Sequence, residues 1–194
     1  MIQKKMLCTA LIGLASTGTV VATTLSYDHQ QQEHSLWCWL ATARNVLTTL
    51  GKTVTQCELA NWSLDRTDAC GNKEFSWKHP ANTPGPLYGG KRGVDSMLKE
   101  VGIGSYPYDY PVGWNGIKIN IDRGRPVIAQ WEWTFLPTSH LVTIFGYTEE
   151  GGENYVNYSD PFPDEGKKYA KYSWVREGGE GTRTHKWTFS LEIN

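Results

Sequence analysis

The stretch Gln32-Glu-His-Ser-Leu-Trp-Cys38-Trp-Leu-Ala-Thr-Ala-Arg-Asn-Val-Leu47 carries a polar loop into a helix and puts a cysteine at the junction. Trp39, Leu40, Ala43, Val46, Leu47 and Leu50 recur at helical spacing. Ser35 is of the type that caps a helix start, and Gly51 suits the position just past the end. Cys38 then falls in the first turn, where unpaired backbone N–H groups and the positive end of the helix dipole favour an anion, and so the nucleophilic thiolate. Gln32, six positions upstream, is a long amide donor able to meet an oxygen that turns negative when such a thiolate attacks a carbonyl. A cysteine between Trp37 and Trp39 is more often a packed core residue than a catalyst. A catalytic reading therefore requires the rest of the chain to supply a base.

With 194 residues, 20% charged and 39% hydrophobic, the chain fits one globular domain with a sizeable core. The formal net charge of -1 and the lack of a basic run argue against nucleic acid or an anionic membrane surface as partner. Nine Trp, ten Tyr and 20 Gly point to a sheet-rich, turn-rich fold with an aromatic groove, suited to peptide or glycan.

Lys4 and Lys5, the uncharged run Met6–Val21 and the small-residue box Val20-Val-Ala22 follow the plan of an export signal. Cleavage is expected after Ala22, leaving residues 23–194 as a single domain, secreted or periplasmic, with no membrane attachment beyond the signal. Cys8 departs with that segment. Three cysteines then remain, and in an oxidising compartment an odd count implies one disulfide and one free thiol. Cys57 and Cys70 lie close together across a polar loop, so they are the expected pair, with Cys38 left free.

A second helix over 53–65 opens on the capping box Thr55-x-x-Glu58. This puts Cys57 in a first turn too, as a rival nucleophile, but without a donor placed like Gln32 and with Cys70 available to bridge it. Residues 66–90 hold Pro80, Pro84, Gly85 and Pro86 and read as a surface loop. His79 within it has no zinc-site spacing relative to Cys57 and Cys70, so no metal is expected, and no cofactor. Tyr88-Gly89-Gly90 offers backbone that an extended peptide can approach closely, although a plain turn has the same composition. Val94, Met97, Leu98 and Val101 mark a third helix ending at Gly102.

From Pro126 the period changes to two. Residues 127–133, 141–147, 155–158, 169–175 and 185–191 read as strands, so helices come first and an antiparallel sheet second. That order predicts an α+β domain in which the first helix packs on the later sheet. Among the five histidines, His34 is nearest Cys38 in sequence, whereas His140 begins a central strand. If Tyr147 pairs with Asn154, His140 lies opposite Pro161 and one residue from Asp160; a one-residue change of register aligns His140 with Asp160. A carboxylate there fixes the imidazole tautomer and steadies the imidazolium. Asn157 is about 10 Å further along at strand rise, too far for that role.

Gln32-x5-Cys38-Trp39 before an apolar helix, then Ser139-His140-Leu-Val-Thr-Ile-Phe-Gly146-Tyr, then Tyr158-Ser-Asp160-Pro161, resembles the bacterial papain-like cysteine peptidases, and within them the staphopains and secreted effector proteases of plant pathogens. Gly124-Arg-Pro-Val127 and Gln56-Cys57 add to the likeness, which spans roughly residues 30–162. The resemblance implies a papain-like fold, with a helical half carrying Cys38 and a β half carrying His140 and Asp160. It also implies hydrolysis of peptide bonds through a thioester. Carried over by position, Cys38 is nucleophile, His140 base and then acid, Asp160 the orienting residue, and Gln32 an oxyanion donor with the Cys38 backbone N–H. Trp39, Tyr88, Gly89, Gly90 and Ser139 are the implied substrate contacts, and a monomer acting on protein or peptide is expected. Two alternatives stay open: transglutaminase or deamidase chemistry on the same triad, and a catalytically silent binding module for peptide or glycan.

Overall fold

The structure, a computed structural model, describes residues 19–71 and 75–194. Most of the expected export segment, including Cys8, lies outside the described residues.

Helix α1 (Cys38–Thr49) is buried on almost every side, through Trp39, Leu40, Ala43, Val46 and Leu47 together with Ala41, Thr42 and Asn45. It packs on α2 (Gln56–Leu64), on α3 (Val94–Glu100) and on the sheet strand β4 (Ser139–Glu150). The expected capping box forms at α2: Thr55 accepts from the Glu58 N–H while the Glu58 carboxylate accepts from the Thr55 N–H. Ser35 does not cap α1. The N-cap is Trp37, without a side-chain cap, and Ser35 Oγ instead accepts from Asn82 Nδ2. Gly51, at φ 78°, follows the helix as expected.

The sheet also contains β1 (Val21–Thr24), β2 (Ser105–Tyr108), β3 (Val127–Trp133), β5 (Glu153–Asp160), β6 (Gly166–Lys171), β7 (Glu177–Glu180) and β8 (Arg183–Ile193). The order is β2-β8-β3-β4-β5-β6, all antiparallel, with β1 on β4 and β7 on β8. Both faces are covered. One core lies between α1–α3 and the face carrying Ile128, Leu141, Phe145 and Leu191. The other lies beneath α4 (Trp114–Asp122) and α5 (Tyr172–Arg176), around Val127, Ala129, Trp131, Val142 and Trp187. This is the α+β fold expected, with helices in the N-terminal half and an antiparallel sheet after them. No helix among the described residues is long and apolar enough to cross a membrane.

Four expectations change. Tyr172–Arg176 is a short helix rather than the end of a strand. The β4–β5 turn is only Gly151-Gly152, both glycines at positive φ (59° and 81°), the geometry of a tight two-residue hairpin, so the strands run longer than expected. Tyr147 therefore pairs with Val156, not Asn154, and an irregularity between Ile144 and Gly146 shifts the rest, so that Thr143 faces Ser159. His140 and Asp160 consequently meet beyond the last paired rung rather than as cross-strand partners. Finally, the loop over 66–90 is not merely superficial: Ala69, Ala81, Asn82 and Leu87 are buried in it.

Candidate active site

Cys38 is the first residue of α1, a half-buried free thiol, while Cys57 and Cys70 are joined as a disulfide. Cys57 is thereby removed as rival nucleophile. His140 sits at the start of β4, cross-strand from Trp131, and its Nε2–H donates to Asp160 Oδ1 at 2.6 Å. The same carboxylate oxygen accepts from the Phe162 N–H at 2.8 Å, so Asp160 is held from two sides. His140 and Asp160 are 5% and 7% exposed. With Nε2 occupied by Asp160, Nδ1 is the ring nitrogen left to face Cys38, whose proximity also acts on the imidazole.

Burial by itself pulls the His140 imidazole toward the neutral form. The hydrogen bonds to Asp160 and Cys38, reinforced by their negative charges, outweigh that pull and push its pKa up to about 10. The site therefore favours an imidazolium between two acidic partners. Trp133 lies near-parallel to the His140 ring, 6.1 Å between centroids, and Phe162 meets it edge-on at 6.0 Å.

Gln32 stands 4% exposed in the approach loop, its backbone N–H donating to Pro161 O at 2.7 Å, which ties that loop to the end of β5. Its side chain is turned into its own loop. Nε2 donates to His34 O at 3.0 Å and Ser35 O at 2.9 Å, which occupies both amide hydrogens and leaves buried Oε1 without a partner.

Three buried amides hold this loop, of which only Gln56 figures in the sequence motifs, and there without this role. Asn45 accepts from Gln30 N–H and donates to Gln30 O; Gln56 accepts from Glu33 N–H and donates to Gln31 O; Asn82 accepts from Leu36 N–H. The signal for Gln56 was its place beside Cys57, but polar residues on a helix otherwise read as solvent-facing. His29 was missed too: its Nδ1 lies 2.7 Å from Ser159 Oγ, next to Asp160. Burial first, and then the Lys167 charge, hold His29 toward neutrality.

The implied substrate contacts divide. Trp39 is fully buried; its Nε1–H donates to Thr83 O, and Gly85 lies on its ring, so a direct substrate contact is closed to it. Gly89 and Gly90 shape the turn into α3, where Gly89 N–H donates to Asp95 and Gly90 O accepts from Ser96. They border a cavity shared with Leu64 and Lys91, which Cys38, His140 and Asp160 do not line. Tyr88 packs edge-on against Phe189. Ser139 precedes His140 and lines a cavity with Glu132 and Trp133. His34 and His79 sandwich Phe75, and His185 stacks on Trp131, so none of the three takes the place of His140.

Among solved structures, the fold is similar to the peptidase domain of Streptococcus ComA, a bi-functional ABC transporter involved in quorum sensing. That likeness has 12% identity and a TM-score of 0.56, and covers 86% of this chain and 97% of that one. Digestive procathepsin L 3 of Tenebrio molitor is also similar, at 11% identity and TM-score 0.52, over 90% of this chain and 72% of that chain. A mite allergen from a study of Blo t 1 and Der p 1 shows 15% identity and TM-score 0.50, over 93% and 73% respectively. No curated protein matches the chain. The sequence model of the Peptidase_C39-like family matches residues 24–182, a span that takes in the loop of Gln32, Cys38, His140 and Asp160. The chain belongs to the Peptidase_C39-like family of cysteine peptidases.

Proposed function

We propose that the protein is an exported cysteine endopeptidase with Cys38 as nucleophile, His140 as proton carrier and Asp160 as orienting carboxylate. The observation that carries this reading is the buried 2.6 Å bond from His140 to Asp160, with a free cysteine at the first turn of α1 as the other partner of the same imidazole. Cys38 Sγ attacks the carbonyl carbon of the substrate, and the carbonyl electron pair moves onto oxygen. The backbone N–H of Cys38 meets that oxyanion. Gln32 Nε2 joins it by exchanging one of its loop carbonyls for the substrate oxygen, which is the same kind of acceptor. As the C–N bond breaks, the imidazolium proton passes to the leaving amine, and a thioester remains on Cys38. Neutral His140 then takes a proton from water, the hydroxide equivalent attacks the thioester, and the acid product leaves as Cys38 regains its charge.

The Cys57–Cys70 disulfide supports an oxidising compartment. Likeness to staphopains and plant-pathogen effector proteases rests on the quoted motifs around Gln32, Cys38, His140 and Asp160. Protein or peptide is the substrate, and the enzyme acts as a monomer.

Incubation with a protein mixture, followed by sequencing of new N-termini, tests the reading. Wild type is expected to generate N-termini and Cys38→Ala to generate none. Release of ammonia without new N-termini would replace peptidase by deamidase or transamidase chemistry.

A further inference from the structure

Beside the triad is a cavity of about 370 Å³ whose lining includes Gln130, Glu132, Trp133, Leu136, Thr138 and Ser139. Its volume is at the low end of the range of ligand pockets and is ample for one large side chain. It adjoins the candidate active site through one residue, Trp133, whose ring lies near-parallel to that of His140, 6.1 Å between centroids; Cys38, His140 and Asp160 do not line it.

Glu132 is the charged group of that cavity. It stands exposed on β3, cross-strand from Ser139, and among the described residues its carboxylate makes no hydrogen bond or ion pair. Lys186 is its register partner on β8 without forming an ion pair with it, and Glu132 also lines a second cavity together with Lys186 and Arg176. Trp133 offers an aromatic face, Leu136 an apolar rim, and Gln130, Thr138 and Ser139 supply oxygen acceptors. An open, largely polar depression with a carboxylate, an aromatic face and the Leu136 edge for a methylene stem suits a long cationic side chain.

We propose that this cavity receives a lysine or arginine side chain of the peptide substrate close to the scissile bond, with Glu132 as its counter-charge and Trp133 as its aromatic wall. The assignment rests on the peptidase reading and gives that site its substrate class. Glu132 is a specificity residue, not a member of the triad, so its loss acts on the choice of substrate and leaves the chemistry intact.

The test uses a set of internally quenched peptides that share one backbone, with Lys, Arg, Leu or Glu placed in turn at each position flanking the cut. They are assayed with wild type, Glu132→Gln and Glu132→Lys, and thermal melting shows that the variants fold. Wild type is expected to prefer Lys or Arg at one position. Glu132→Gln lowers kcat/KM for those peptides by about 10- to 100-fold, mainly through KM, and leaves the Leu peptides unchanged. Glu132→Lys shifts the preference to Glu at that position. A wild type with no basic preference, or the same preference in all three proteins, overturns the assignment. Binding of the Lys and Leu peptides to Cys38→Ala and to Cys38→Ala/Glu132→Gln, read by fluorescence anisotropy, separates the two layers. Charge-selective binding lost with Glu132, but without turnover by wild type, would sink the peptidase reading and leave the pocket standing.

Discussion

At the scale of single residues, Gln32 is the expected site residue whose side chain is held most differently from its expected role. Both Gln32 amide hydrogens are spent on the carbonyls of His34 and Ser35. If one of them is exchanged for the substrate oxygen, Gln32→Ala should lower kcat on the order of 10²–10³, the usual cost of an oxyanion donor. An unchanged kcat in steady-state kinetics would confine Gln32 to holding the loop. His140 makes a pH prediction. Its folded pKa, pushed up to about 10, lies above the unfolded value of 6.5, so protonated His140 favours the folded state. That contribution is complete below pH 6.5 and disappears as pH rises through about 10. Melting temperature should therefore fall across this window in wild type, and His140→Gln should remove that part of the slope. Cys38, His140 and Asp160, which the structure places at the starts of α1 and β4 and the end of β5, could be singled out in the sequence because each stands at an element boundary that periodicity marks. The loop-holding Asn45, Gln56 and Asn82 were not, because burial of an amide depends on backbone partners distant in sequence.

At the scale of elements, what was legible followed apolar period. The stripes of α1, α2 and α3 are long enough to show it, and the capping box of α2 confirmed its start. Helix α4 escaped notice because only Ile117, Asn120 and Ile121 are buried, and Gly116 interrupts it. In α5, Tyr172 and Trp174 alternate like strand residues over a single helical turn and a half. The connection over 66–90 reads as loop yet serves as a wall for α1: Ala81 O and Thr83 O receive the indole N–H groups of Trp37 and Trp39. A Cβ on Gly85 would come within 2.4 Å of the Trp39 ring. Gly85→Ala should cost on the order of 1–3 kcal/mol in denaturant unfolding. It should also reduce activity, because Trp39 follows Cys38 directly. The disulfide closes the same connection onto α2 across 13 positions. Reduction should cost about 3 kcal/mol by loop entropy, read from urea midpoints of Cys38-alkylated protein with and without reductant.

For the whole molecule, the site depends on one sheet carrying two cores. Helix α1 presses Cys38 from one face toward β4, whose first residues bring His140, while β5 ends at Asp160 and returns through Pro161 to the Gln32 loop. Strand β1 adds an N-terminal tie: Thr23 and Thr24 pair with Tyr147 and Gly146 and would survive cleavage after Ala22, whereas the Val21 and Ala22 rungs would not. In the proposed mechanism this architecture makes Cys38, activated by His140, the reacting group. Labelling with a peptidyl electrophile at neutral pH, followed by intact-mass measurement and peptide mapping, tests it most directly. A single adduct on Cys38 is expected, formed far more slowly in His140→Ala. An unreactive Cys38, an adduct elsewhere, or labelling indifferent to His140 would contradict it.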